Sequence, residues 1–276
     1  MPDALIAFNG VEKYLFIHNV WFERGQLEIY EAMANGVAIS FRFQRDKKGW
    51  RILASTERED FRKEFSAQIG VIGLDLNVDY LALTETDWFG NLRTVGRVPC
   101  VLQGKTSGQR KAIAQRAAVE AVAYAEHAGK PLAVEKFDFA KKKKQLASLK
   151  GDPRLRRRNR QLNSFAYGAI IQSVHGRALQ ESVPVKEVNP AFTSVIGRIK
   201  YAKRHGASVH QAAALAIGRR GMSYSETVPV RGQIPDGKDD HLLVKFPARK
   251  LSAHEWAHWG RISNAVQAIL SEWHRL

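Results

Sequence analysis

The stretch VIGLDLN, residues 71 to 77, sets one aspartate into an otherwise apolar run. Val71, Ile72, Leu74 and Leu76 read as a buried strand, so Asp75 is carried into the core with them. A buried carboxylate without a partner is unfavourable by several kcal/mol unless its pKa rises until it is neutral. Any fold that accepts this strand must supply a compensating charge beside Asp75.

A second acid has the same character. LAVEKF, residues 132 to 137, ends the apolar run Leu132 to Val134 with Glu135. Between the two lie YLALTETD and NLRTVGRVP, which read as strands, and a helical segment from Ser107 that Gly129 and Pro131 close. A second helix covers LNSFAYGAIIQSVHGRAL, where Leu162, Phe165, Ala166, Ala169, Ile170 and Val174 recur at helical spacing. VPVKEVNP follows as a fifth strand, and Gly206 and Ser208 introduce the helix VHQAAALAIGRR. The order βββ-α-β-α-β-α is the connectivity of an RNase H-like α/β fold, with a mixed five-stranded sheet flanked by helices. In that arrangement the first and fourth strands are neighbours, and both deliver a carboxylate to one edge of the core. Two carboxylates there repel each other unless a divalent cation neutralises them. Oxygen ligands of this kind suit Mg²⁺ or Mn²⁺, and two such ions suit phosphodiester hydrolysis. The bland alternative makes Asp75 a turn cap and Glu135 a strand-end charge.

The helix after the fifth strand carries no acid, but His210 stands in its first turn. There the helix dipole favours the neutral, metal-binding imidazole. His210 is therefore the candidate third ligand, with a purely structural histidine as the alternative.

Charge points to the partner. The chain has a formal net charge of +16, and residues 141 to 160 alone hold ten Lys or Arg against one acid. Lys141, Lys142, Lys143, Lys144, Arg156, Arg157 and Arg158 lead that run, directly after Glu135, and read as a phosphate-binding arm. Arg198, Lys200, Lys203 and Arg204 form a second basic cluster before His210. Phe137 and Phe139 are candidates for base stacking, with core packing as the alternative. No run reaches the roughly 18 apolar residues of a membrane span, and no signal peptide is read, so a cytoplasmic protein with no membrane partner is expected. The one cysteine, Cys100, excludes an internal disulfide and any Cys-based zinc ribbon.

The motifs IGLDLNVDYLALTETDWFGN, LAVEKFDFAKKK, NSFAYGAIIQSVHGRAL and VNPAFTSVIGRIKYAKRHGASVHQAAALAIGRR together resemble the RuvC-like nuclease half of TnpB-related transposon proteins, kin of the type V CRISPR effectors. The resemblance covers roughly residues 35 to 222. It implies RNA-guided DNA cleavage, with Asp75 and Glu135 matching the first two catalytic acids. The sequence departs from the family pattern at His210, where relatives usually carry an aspartate. It departs again at VIGRIKYAKRHG, which stands where relatives usually have a four-cysteine ribbon, so no zinc is expected. The implied partners are DNA, a guide RNA and either a separate recognition-lobe protein or a second copy of the chain. Loss of catalysis with retention of nucleic-acid binding is the alternative.

Three segments are expected. Residues 1–65 read as a small β-rich module, with turn signals at Arg24-Gly25, Asn35-Gly36 and Lys48-Gly49, which resembles a remnant of the family's N-terminal barrel. Residues 66–222 form the nuclease domain. Residues 223–276 form an extension whose last helix begins at a capping box, Ser252 and Glu255. Along that helix Trp256, Trp259, Ile262, Val266, Ile269 and Trp273 make one apolar stripe, expected to dock on the chain's own core or on a partner.

Overall fold

The computed structural model describes residues 4–8, 14–18, 20–23, 25–57, 65–77, 79–136, 164–235, 241–249 and 254–273. The chain divides into two compact units, Met1–Phe61 and Arg62–Leu276.

In the first unit β1 (Ala4–Phe8) pairs antiparallel with β2 (Tyr14–His18). A second antiparallel pair joins β3 (Ile39–Asp46) to β4 (Gly49–Thr56) through a turn in which Asp46 accepts the Lys48 N–H at 2.7 Å. Between the pairs lies a helix, α1 (Gln26–Ala34), where the sequence suggests only strands. QLEIYEAMA consists largely of strong helix formers, and Gly36, at φ 66, supplies the left-handed residue that ends it. The aromatic and β-branched residues on either side hide that signal.

The second unit is built on β5 (Ile72–Leu76), β6 (Tyr80–Thr86), β7 (Leu92–Pro99), β8 (Leu132–Glu135) and β9 (Val185–Val188). Their order in space is β7-β6-β5-β8-β9. The pairings β5–β6 and β6–β7 are antiparallel, while β5–β8 and β8–β9 are parallel. The parallel pairings need helical crossovers, supplied by α2 (Ser107–Ala128) before β8 and α3 (Ser164–Gln180) before β9. This is the α/β, RNase H-like arrangement read from the sequence. The helix α2 starts on a capping box of Thr106 and Gln109, and Gly129 at φ 64 closes it.

The sheet has two unlike faces. On one, Ile72, Leu74, Leu132 and Val134 pack against Ala114, Ala117, Ala118, Ala121 and Val122 of α2 and Ile170 and Val174 of α3. Alanine at helical spacing on α2 lets that helix settle close to the larger strand residues. On the other face lies α5 (Val209–Gly221), reached through α4 (Thr193–Ile196) and a π-helical turn, Gly197–Ala202.

A further hairpin, β10 (Arg231–Pro235) with β11 (His241–Lys245), and α6 (Glu255–Trp273) complete the unit. Ile234, Phe246, Trp259, Ile262 and Val266 share one buried cluster with Ile199, Tyr201, Leu215 and Ala216. The stripe on α6 thus packs on the chain itself at Trp259, Ile262 and Val266, while Trp256 stays partly exposed. Ser252, the expected cap, lies outside the described residues, as do Phe137, Phe139, Lys141 to Lys144 and Arg156 to Arg158. No helix among the described residues is long and apolar enough to cross a membrane.

Candidate active site

At Gly73 the contact between β5 and α5 is made backbone to backbone. A Cβ on Gly73 would stand 2.0 Å from the Ala214 carbonyl oxygen and 2.8 Å from the Gly218 N. On the facing helix, a Cβ on Gly221 would stand 2.7 Å from the Ala133 Cβ. Only glycine allows β5 and α5 to approach so closely. Side chains two residues further along a strand lie on the same face. Asp75 follows Gly73 and Glu135 follows Ala133, so both acids lie on the face that α5 covers. The β5–β8 register pairs Ile72 with Leu132 and Gly73 with Ala133. The pairing ends there, and Asp75 and Glu135 each lie two residues beyond its last pair, on neighbouring strands.

Asp75 is 7% exposed. Its Oδ2 lies 2.8 Å from Nδ1 of His210, in the first turn of α5. That turn is fixed by a capping box in which Ser208 and Gln211 bond reciprocally. Burial pushes the Asp75 carboxyl above its usual range, and the His210 contact and the Leu76 N–H offset this only in part. With Asp75 ionised, the imidazole donates to it from Nδ1. The Tyr80 ring meets the imidazole edge to face, with centroids 5.9 Å apart at 86°.

Glu135 is held from another side. The Thr193 hydroxyl donates to its Oε1 and also lies 3.0 Å from the Pro190 carbonyl oxygen. Thr193 itself is 1% exposed. It opens α4 just after Phe192, whose φ of 64 is unusual for a residue with a side chain. Arg220 secures the same loop, donating to the carbonyls of Asn189 and Ala191. Neither Thr193 nor Arg220 is marked out by the sequence. The turn-rich NPAFTS segment is the signal that such a loop exists.

Two carboxylates and an imidazole are donors that suit a divalent cation. The geometry brings Asp75 to His210 and leaves Glu135 with Thr193. Among the described residues no three His, Cys, Asp or Glu side chains stand close enough together to hold a metal ion. The donor chemistry fits, then, while a ready-made three-ligand cage is not present among those residues.

The second basic cluster divides. Lys203 and Arg204 are exposed and Arg198 is half-buried. Lys200 instead turns inward and pairs with Glu226, which also accepts from Arg219 Nε at 2.6 Å and from the Tyr201 hydroxyl at 2.7 Å. Burial opposes the Glu226 charge, yet these donors hold its carboxyl below the usual range. Trp259 Nε1 donates to the Glu226 carbonyl at 2.7 Å, and Arg219 Nη1 donates to Gly90 at 2.7 Å. This network ties α6 and the β6–β7 turn to α5.

Fold and site together define an RNase H-like α/β domain with a buried acid in the sheet's first strand and a second acid on the same face of the adjacent strand. In comparison with solved structures the chain is similar to Thermus thermophilus RuvC in complex with a Holliday junction substrate. The identity is 18% and the TM-score 0.37, over 54% of this chain and 90% of that one. A second Thermus thermophilus RuvC structure gives 16% identity and a TM-score of 0.35 with the same coverage. At this level the likeness carries no functional weight. No protein-family model matches the chain, nor does any curated protein.

Proposed function

We propose that this chain is a RuvC-type, divalent-metal-dependent DNA endonuclease of the TnpB-related kind, acting with a guide RNA or a recognition partner. The observation that carries the reading is Asp75 itself. It is 7% exposed in a core strand, its carboxyl is pushed upward by burial, and it shares a face of the sheet with Glu135 on the next strand. A strongly desolvated acid whose partners do not balance it marks a functional site more often than a structural one.

Asp75 and Glu135 would hold Mg²⁺ or Mn²⁺, with His210 beside them. Bound there, two such ions supply an activated water and stabilisation of the leaving oxygen in phosphodiester hydrolysis. His210 orients Asp75 through the 2.8 Å contact at Nδ1. The Thr193 hydroxyl orients Glu135. The amino end of α5, with its partial positive charge, favours anionic phosphate at this edge of the sheet.

The test is a Mg²⁺-dependent cleavage assay on protein co-purified with any bound RNA, which is sequenced. Asp75→Ala and Glu135→Ala should each abolish cleavage and leave nucleic-acid affinity intact. His210→Ala should lose cleavage, and His210→Asp should retain part of it. Undiminished cleavage by the Asp75 or Glu135 variant would remove the two-metal assignment.

A second reading is a catalytically silent, guided nucleic-acid binder. The pairing of Asp75 with His210, and the lack of a three-donor group among the described residues, favour it. It expects no cleavage by the natural protein and a gain in His210→Asp.

A further inference from the structure

One cation on the Asp75 face of the sheet, Arg97, forms no ion pair with any described residue. The β5–β6 register sets Asp75 opposite Ala82, and the β6–β7 register sets Ala82 opposite Arg97. Directly opposed residues share a face, so Arg97 lies on the Asp75 side of the sheet, two strand spacings or about 10 Å away. The gap is bridged by aromatic contacts. The Arg97 guanidinium lies 4.1 Å from the Tyr80 ring centroid, Tyr80 meets His210 at 5.9 Å, and His210 meets Asp75 at 2.8 Å.

Four other arginines of this domain are already occupied. Arg219 is bonded to Glu226 and Gly90, Arg220 to two backbone carbonyls, Arg116 to Glu120 and Arg177 to Glu181. Arg97 is exposed and has no ion pair or hydrogen bond to any described residue, and its guanidinium lies against the Tyr80 ring. A guanidinium attracted to a ring through its charge still carries five N–H donors that a ligand can use. The planar fork of those donors is what lets arginine take a phosphate through two parallel hydrogen bonds.

We propose that Arg97 is a phosphate-contact residue, that Tyr80 positions it, and that a nucleic-acid strand bound at Asp75 runs across β6 onto β7. This rests on the reading of the Asp75 edge as a nucleic-acid site, but not on catalysis. The Tyr80 ring contacts both the guanidinium and the imidazole, so it sets the distance between the Asp75 pair and the next phosphate along the strand.

The experiment measures binding of fluorescently labelled single-stranded and duplex DNA in a chelator, over a salt series. Arg97→Ala should weaken binding by about tenfold. It should also reduce the logarithmic salt slope by about 0.7 on single strands and 0.9 on duplex. Arg97→Lys should restore the slope but not all of the affinity. Tyr80→Phe, which keeps the ring, should behave as the natural protein, whereas Tyr80→Leu should weaken binding with the slope retained. Arg116→Ala, in α2 on the opposite side of the sheet, should leave the slope unchanged. If the protein also cleaves, Arg97→Ala should raise KM with little change in kcat.

An unchanged slope in Arg97→Ala would overturn the proposal, as would an equal loss in Arg116→Ala or no DNA binding at all. Absence of cleavage with the expected slopes would sink the nuclease reading and leave the Arg97 contact standing. Cleavage with an unchanged Arg97 slope would do the reverse. Circular dichroism melting of each variant separates these outcomes from misfolding, because an exposed arginine should not alter the melt.

Discussion

Asp75 and Glu226 are buried almost equally, at 7% and 6% exposure, and the protein treats them in opposite ways. Glu226 meets Lys200, Arg219 and the Tyr201 hydroxyl, so burial is outweighed and its carboxyl is held below the usual range. Asp75 has one imidazole and one N–H, so burial dominates and its carboxyl is pushed up. The first acid is compensated within the fold and ties elements together. The second is left short of positive charge, as expected where a ligand supplies the remainder.

Breaking the compensated site should have the largest effect. Glu226→Gln should lower the unfolding free energy by about 3 kcal/mol, because Lys200 and Arg219 lose their anion. Glu226 has a lowered folded pKa, so its stabilisation is present above the unfolded value near 4.5 and is lost as pH falls through the folded one. Urea denaturation at neutral pH and in acid should therefore show a gap between variant and natural protein that closes in acid. Next in size is the response to Mg²⁺ or Mn²⁺. At about one hundred times its Kd, an ion that binds only the folded state adds about 2.7 kcal/mol. Calorimetry should show that gain in the natural protein and not in Asp75→Asn.

Asp75→Asn should itself raise stability at neutral pH without metal by about 1 kcal/mol, since it removes a desolvated charge and keeps an acceptor for His210. The folded pKa of Asp75 is raised, so the stability linked to its protonation is present below the unfolded value near 3.8 and lost as pH rises through the folded one. Natural protein and variant should therefore converge in acid and separate above it, the reverse of the Glu226 pair. A variant less stable at every pH would mean that the Asp75 charge is already balanced. The smallest effect should come from Tyr201→Phe, roughly 0.5–1 kcal/mol in the same urea assay, because Lys200 and Arg219 still hold Glu226.

Much of the second unit is legible in the sequence because its strands are apolar runs closed by turn residues and its helices start and stop at caps. Asp75 and Glu135 stand out because a carboxylate in an apolar run contradicts its surroundings, and His210 because it follows a helix cap. Thr193 gives no such contradiction, since a threonine in a loop is ordinary until the fold sets it against Glu135. Lys200 reads as one more basic residue in a basic stretch. Its partner lies 26 residues further on, with α5 between them, and no local spacing links the two. Arg97 reads as the solvent-side residue of an edge strand, and its place beside Asp75 appears only once the register of three strands is fixed. In the first unit α1 is concealed because local composition favours strands on both sides of it.

The glycine seam between β5 and α5 also bears on motion. Where Gly73 meets Ala214 and Gly218 no side chain stands between strand and helix, so there is little to slide or repack, and the two should move as one rigid lever. The amides of Ile72 to Asp75 and Ala212 to Gly218 should then exchange their hydrogens only through global opening, and at one common rate. Adjustment of the site around a bound molecule falls instead to its borders: the 189–193 loop behind Glu135 and the Arg97 strand at the sheet edge.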